Sequence, residues 1–291
     1  MHHHSRAALL AALVALLLPL GAAEDPYTVT WEASGTDYRD SMPIGNGDVG
    51  MNLWTEANGD VVLLISKTDA WSENGQLLKL GRVRVALTPS PFRAGASFRQ
   101  VLRARDGVIE IHGDGQAVLQ AWVDSDAPVI HLQLMDEQPR MARVALELWR
   151  TAPRRLDDSK ENKELHQGLR ELQGSPGGGP TIDPDTVLAA PDSLIWLHHN
   201  ARSIYGDLLR NQHLEALQAA HPDPLINRNV GALARGPGLV VVDDHALATA
   251  SPQPGLRLDI TAFANVAERS EDWRTGLQAT AAQAAARDVA A

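Results

Sequence analysis

The chain has no cysteine, and only three phenylalanines and three tyrosines among its 291 residues. Without thiols there is no disulfide framework, no thiol nucleophile and no lipid-attachment cysteine. The core has to supply the stability by itself. A cationic surface is missing as well. The net charge is −10 and no stripe of lysine or arginine offsets it. Such a chain repels phosphate backbones, which excludes nucleic acid as an expected partner. Long apolar runs are absent with one exception, Ala7 to Leu20. That run follows a short polar start containing Arg6 and precedes Gly21-Ala22-Ala23, the layout of a secretory signal. It is shorter than the roughly 20 residues of a spanning helix. Cleavage is expected after Ala23. Residues 1–23 are therefore set apart from the fold, and the mature protein is expected to be exported, periplasmic or extracellular, without a membrane segment.

What remains reads as strands. Asn58-Gly59, Asp106-Gly107 and Asp114-Gly115 each separate two β-prone runs. Such pairs are a strong hairpin signal, and a type I′ turn would need positive φ at both residues. The flanking runs alternate. Val83, Val85 and Leu87 oppose Arg82 and Arg84. Ile130, Leu132 and Leu134 oppose His131 and Gln133, and Val144, Leu146 and Leu148 oppose Arg143 and Glu147. Period two with one polar face argues antiparallel sheets buried on one side. The expected fold class is mainly β, a large antiparallel β-sandwich with an inserted helix and a C-terminal linker helix, over residues 24–268 and 269–291.

Residues 151–192 break the pattern. They are rich in proline, glycine and charge and read as an exposed, flexible insertion, with a charged helix over 157–172 and a loop at "GSPGGGP". A helix is expected from about Ile204 to Ala220, stopping before His221-Pro222. The alanine-rich tail from Ser270 forms a helix with Ser270 as its cap and Glu271 and Asp272 at its positive end. Its stripe of Trp273, Leu277, Ala281 and Ala284 has no further chain to cover.

Gly45-Asn46-Gly47-Asp48-Val49-Gly50 spells the dinucleotide fingerprint G-x-G-x-x-G. That motif works between a buried strand and a helix N-terminus. Here "DYRDSMP" precedes it and a hairpin follows, so a tight turn into a strand is the better reading. No cofactor is expected.

"MPIGNGDVGMNLW" followed by "VVLLISKTDAWSENGQLLKLGRVRVAL" resembles the start of the N-terminal β-sandwich of glycoside hydrolase family 95 and its relatives. Asp69-Ala70-Trp71 matches their Asp-x-Trp element. The chain is more closely similar to the family called domain of unknown function 5703, again at "WLHHNARSIYGDLLRNQHL", at "DPLINRNVGALARGPGLVVVDD" and at the tryptophan-bearing tail. The resemblance implies the non-catalytic domain of a secreted, α-L-fucosidase-type protein. In such proteins the acid and base carboxylates belong to a following (α/α)6 barrel, which binds the oligosaccharide or polysaccharide and cleaves it with inversion. The chain is expected to end in the linker helix before that barrel, as a fragment or a degenerate relative. No catalytic residue is carried over.

Other chemistry has little footing. There is no G-x-S-x-G elbow and no H-E-x-x-H. Neighbouring His198 and His199 point to opposite faces of a strand, so no metal site is expected. Seven tryptophans suit core or interface positions. Trp71 stands apart, with Lys67, Asp69 and Asn74 around an aromatic face. The candidates for carbohydrate or interdomain contact are Asn46, Asp69, Trp71, Asn74, His199, Asn200 and Arg202. A stand-alone carbohydrate-binding module and an interaction domain without a sugar ligand are the alternatives.

Overall fold

A computed structural model describes residues 25–95, 97–156, 163–165, 167–174 and 179–287. The expected signal segment, the first part of the charged stretch 157–172, the centre of the glycine-rich loop and the end of the tail lie outside the described residues. In chain order the strands are β1 (Thr28–Trp31), β2 (Met42–Gly45), β3 (Val49–Thr55), β4 (Val61–Trp71), β5 (Leu77–Thr88) and β6 (Arg99–Arg103). They continue with β7 (Val108–His112), β8 (Val118–Val123), β9 (Val129–Met135), β10 (Met141–Glu147), β11 (Arg154–Arg155) and β12 (Thr181–Ile182). The last are β13 (Thr186–Leu188), β14 (Leu194–His199), β15 (Arg228–Arg235), β16 (Leu239–Asp243), β17 (Ala246–Thr249) and β18 (Leu256–Val266). The helices are α1 (Gln167–Arg170), α2 (Tyr205–Asn211) and α3 (Ser270–Ala285).

Nine strands form one sheet in the order β1-β6-β7-β8-β9-β18-β15-β14-β13, and seven form another in the order β16-β17-β10-β5-β4-β3-β2. Neighbours within each sheet run antiparallel. The two faces that meet carry the alternating apolar residues, among them Leu63, Ile65, Val83, Val85 and Val144 from one sheet and Ile109, Leu132, Leu258 and Trp196 from the other. This is a β-sandwich, as the period-two pattern predicts. On the outer face of the seven-stranded sheet, Arg84 bonds Glu56, Asp60 and Glu147, which is why arginines alternate with valines in β5.

The hairpins fall where the glycine pairs put them, but with a different turn. In each pair only the glycine takes positive φ, at 85° for Gly59, 66° for Gly107 and 70° for Gly115. Gly59 donates to the carbonyl of Glu56. This is the geometry of a type I turn closed by a left-handed glycine. A Cβ on Gly59 would lie 2.7 Å from the Arg93 nitrogen. Gly59→Ala is therefore expected to destabilise the fold by more than about 1 kcal/mol, read from the urea unfolding midpoint.

Three expectations need correction. The insertion 151–192 is not simply exposed, because Leu156, Leu165, Leu169, Leu172 and Ile182 are buried in the main core. Its charged composition hid a spaced set of leucines. The expected helix over 204–220 is cut short. α2 ends at Asn211, His213 turns into the left-handed region at φ 56°, and a 3₁₀ turn at Glu215–Leu217 follows. Residues 210–222 are exposed, and a short helix with no face to bury has little to hold it. In the tail, Arg269 rather than Ser270 holds the cap position, with no side-chain cap bond.

The tail's apolar stripe does find cover. Trp273, Leu277 and Ala281 of α3 pack against Ile195, Leu197 and Leu233 on the outer face of the nine-stranded sheet. Strand β14, next to the edge strand β13, is thus covered on both faces, and residues 194–198 are all buried. The Trp273 indole donates to the Phe263 carbonyl at 3.1 Å.

Candidate functional site

The opening glycine motif joins β2 to β3. Asn46 Oδ1 accepts from the amides of Asp48 (2.9 Å) and Val49 (2.8 Å), and its Nδ2 donates to the carbonyls of Asp124 and Ala127. Asn46 therefore folds the turn and ties it to the loop between β8 and β9. Asp48, next in this turn, receives Lys67 Nζ at 2.6 Å, and the same ammonium reaches Asp69 at 2.9 Å. Lys67 is buried while both aspartates stay partly exposed. This row runs along β4 to Trp71, which is 39% exposed.

Beyond Trp71 the chain turns through Ser72-Glu73-Asn74-Gly75 into β5. A polar hairpin tip would ordinarily sit in water. Here Ser72, Glu73 and Asn74 are almost wholly buried. The tip is internally closed, with Ser72 Oγ accepting from the amides of Asn74 and Gln76. Four other segments then clamp it. Asn74 Nδ2 donates to the Thr181 carbonyl (2.6 Å) and Gln76 Nε2 to that of Glu164 (2.7 Å). Asn200, at the end of β14, donates to the carbonyls of Trp71 and Leu225. Arg228 Nη1 donates to the Asp69 carbonyl, and the Ile204 amide donates to the Glu73 carbonyl.

At the centre lies a buried charge network that sequence reading missed. His198 Nε2 meets Glu73 Oε2 at 3.0 Å and its Nδ1 meets Asp185 Oδ1 at 3.0 Å. Arg150 Nε donates to Asp185 Oδ1 at 2.9 Å, and Nη2 donates to the Lys79 carbonyl. Glu73 Oε1 accepts from the Asp183 amide at 2.7 Å. Each ring nitrogen thus faces a carboxylate oxygen at hydrogen-bond distance. Burial opposes the charge most strongly, but the bonds to Asp185 and Glu73 outweigh it. The His198 pKa is raised above the ordinary histidine value despite the charge of Arg150. The signal available in the sequence was that His198, not His199, shares a face with Trp196 in β14.

The sequence candidates thus separate by role. Asp69, Trp71, Asn74 and Asn200 come together at the hairpin tip, and Asn46 joins them through Asp48 and Lys67. Asn74 and Asn200 are buried and spend their amide hydrogens on carbonyls, so they position the tip. His199 Nδ1 meets Asn229 Oδ1 at 2.9 Å, and Arg202 forms a two-point contact with Asp183. Those two brace neighbouring loops. Of the four at the tip, Asp69 and Trp71 are the ones that face outward, and Arg202 is exposed beside its loop. Among the described residues, no three histidine or carboxylate side chains converge to hold a metal ion, and no helix is long and apolar enough to cross a membrane.

No curated protein shows significant similarity to the chain. The family model described as Domain of unknown function (DUF5703) matches residues 30–291, which takes in the sandwich, the clamped hairpin tip and α3. The chain belongs to the domain of unknown function 5703 family.

Proposed function

We propose that this is an exported, non-catalytic β-sandwich domain of a glycoside-hydrolase-like protein, related to the N-terminal domain of family 95. It borders the sugar cleft of an adjoining helical barrel and contacts an oligosaccharide or polysaccharide there. The observation that carries this reading is the placement of Trp71. Its indole is partly exposed at a hairpin tip that four other segments hold rigid, beside the Asp48–Lys67–Asp69 row. A flat apolar ring next to fixed hydrogen-bonding groups suits the face and the hydroxyls of a sugar. The acids nearest to it support the non-catalytic part. Asp48 and Asp69 are engaged by Lys67, and Glu73 and Asp185 by His198. A carboxylate pair set to work on a glycosidic bond would have to leave room for the sugar between its members.

The test is binding of the chain to an array of neutral and acidic oligosaccharides. Trp71→Ala is expected to weaken binding about tenfold or more, which corresponds to about 1.4 kcal/mol, with an unchanged unfolding midpoint. Strong array binding by the chain alone would favour the second reading, a stand-alone carbohydrate-binding module. A silent array would leave Trp71 as a domain contact only. Turnover of aryl-glycosides that a point mutation within the chain abolishes would overturn the non-catalytic assignment.

A further inference from the structure

The last turns of α3 stand over the outer face of the nine-stranded sheet and leave a cavity of about 330 Å³ between helix and strands. That is the lower end of the roughly 300–1,000 Å³ usual for small-molecule sites. Its charged walls are Arg235 of β15, Arg257 and Asp259 of β18, and Arg287 just past α3. Arg235 stands directly across the ladder from Asp259, and Arg257 lies two residues along β18, so the three share one face. Yet Arg235 forms no ion pair among the described residues. Its Nη2 donates to the Ala281 carbonyl of α3 at 2.9 Å. A guanidinium carries several further N–H donors. Those of Arg235 meet no protein acceptor and are not closed to solvent.

The charges select the ligand. Asp259 is the acid in the lining, and its Oδ1 accepts from Arg257 Nε at 3.0 Å and meets His131 Nδ1 at 2.7 Å. Arg287 is held by Asp124 (3.3 Å) and Asp126 (2.9 Å), which lie outside the lining. His131 lines the wall too, but its Nε2 is closed to solvent, 3.8 Å from Asp124. The charge left without a counterpart is that of Arg235. One negative charge on a ligand matches it, whereas a dianion would leave a surplus beside Asp259. Arg257 and Asp259 are 33% and 26% exposed, and Arg257 Nη1 and Asp259 Oδ2 are open to solvent with no protein partner. We propose that this cavity binds a small hydroxylated monocarboxylate, about the size of one sugar acid. Its carboxylate takes the open N–H groups of Arg235 and Arg257, whose planar forks match two oxygens. A neighbouring hydroxyl donates to Asp259 Oδ2. No residue of the Trp71 hairpin or of the Asp48–Lys67–Asp69 row belongs to this lining.

The experiment is calorimetric titration of the protein with glucuronate. Glucose serves as the uncharged counterpart, and inorganic phosphate at mildly alkaline pH as the dianion. Two variants locate the binding. Arg235→Gln removes the charge and keeps a donor for the Ala281 carbonyl. Ala285→Trp obstructs the cavity from the exposed end of α3 without touching a charge. Glucuronate is expected to bind, and glucose and phosphate to bind about tenfold more weakly or less. Each variant should weaken glucuronate about tenfold or more, the scale of one charge-assisted hydrogen bond. Should hydrogen exchange show that Arg235→Gln loosens α3, Ala285→Trp decides alone. Trp71→Ala should leave glucuronate binding unchanged. The inference is overturned if glucuronate does not bind, if glucose or phosphate binds as tightly, or if Ala285→Trp binds as well as the parent. Glucuronate binding that Trp71→Ala abolishes and Ala285→Trp spares would overturn it too, while leaving the reading of Trp71 intact.

Discussion

Replacing His198 with leucine is expected to cost about 3–5 kcal/mol of folding stability, the range seen when one partner of a buried charged group is removed. The reason is local. Glu73 and Asp185 approach the same imidazole from opposite sides at 3.0 Å each. Without it, two carboxylates remain in a dry place with only Arg150 as a cation, and Arg150 reaches Asp185 alone. Urea unfolding measures the loss, and a midpoint within error of the parent would disprove the role. The same network sets a pH dependence with a definite sign. The folded pKa of His198 is raised above the ordinary value of 6.5. Its contribution to stability is therefore complete below that ordinary value and is lost as pH rises through the folded pKa. Relative to His198→Gln, the parent protein should lose stability as pH rises above the ordinary histidine value of 6.5 and not below it. Parallel pH profiles for the two proteins would contradict this.

Trp273→Ala should produce a loss of similar size, about 3–5 kcal/mol, the usual cost of truncating a buried large aromatic. Trp273 is fully buried and anchors α3 on the outer face of the nine-stranded sheet. The loss should also be uneven. The amides of α3 should exchange hydrogen much faster in the variant, because Leu277 and the alanines alone bury little area. The amides of β4 and β5, in the other sheet, should change only as far as the global stability does. Uniform acceleration everywhere would show that helix and sandwich unfold as one unit.

The strands were legible in the sequence because their burial is one-sided. Residues such as Val83 and Val85 alternate with Arg82 and Arg84, so the pattern reports the face directly. The hairpin positions were legible because glycine alone takes left-handed φ cheaply, though the turn type was not, since Asn58 and its counterparts stay out of that region. His131 resisted the same logic. It sits on the polar face of β9 yet is only 3% exposed, because Trp122 stacks on it at 5.0 Å and Asp259 bonds it at 2.7 Å. The leucines of the insertion were masked by the charges around them. Only long-range contacts showed that Leu165 and Leu169 reach the core.

By itself, then, the sequence determined the sheet class, the place of most turns and the outward residues Asp69 and Trp71 as candidates. Periodicity and turn chemistry act over a few residues and can be read there. The tertiary structure alone decided that Asn74 and Asn200 hold loops and that the tail's stripe is covered by its own sheet. It also brought Glu73, Arg150, Asp185 and His198 into one network. Those four lie on separate segments, and the free energy that makes them a unit arises only once folding has removed the water between them.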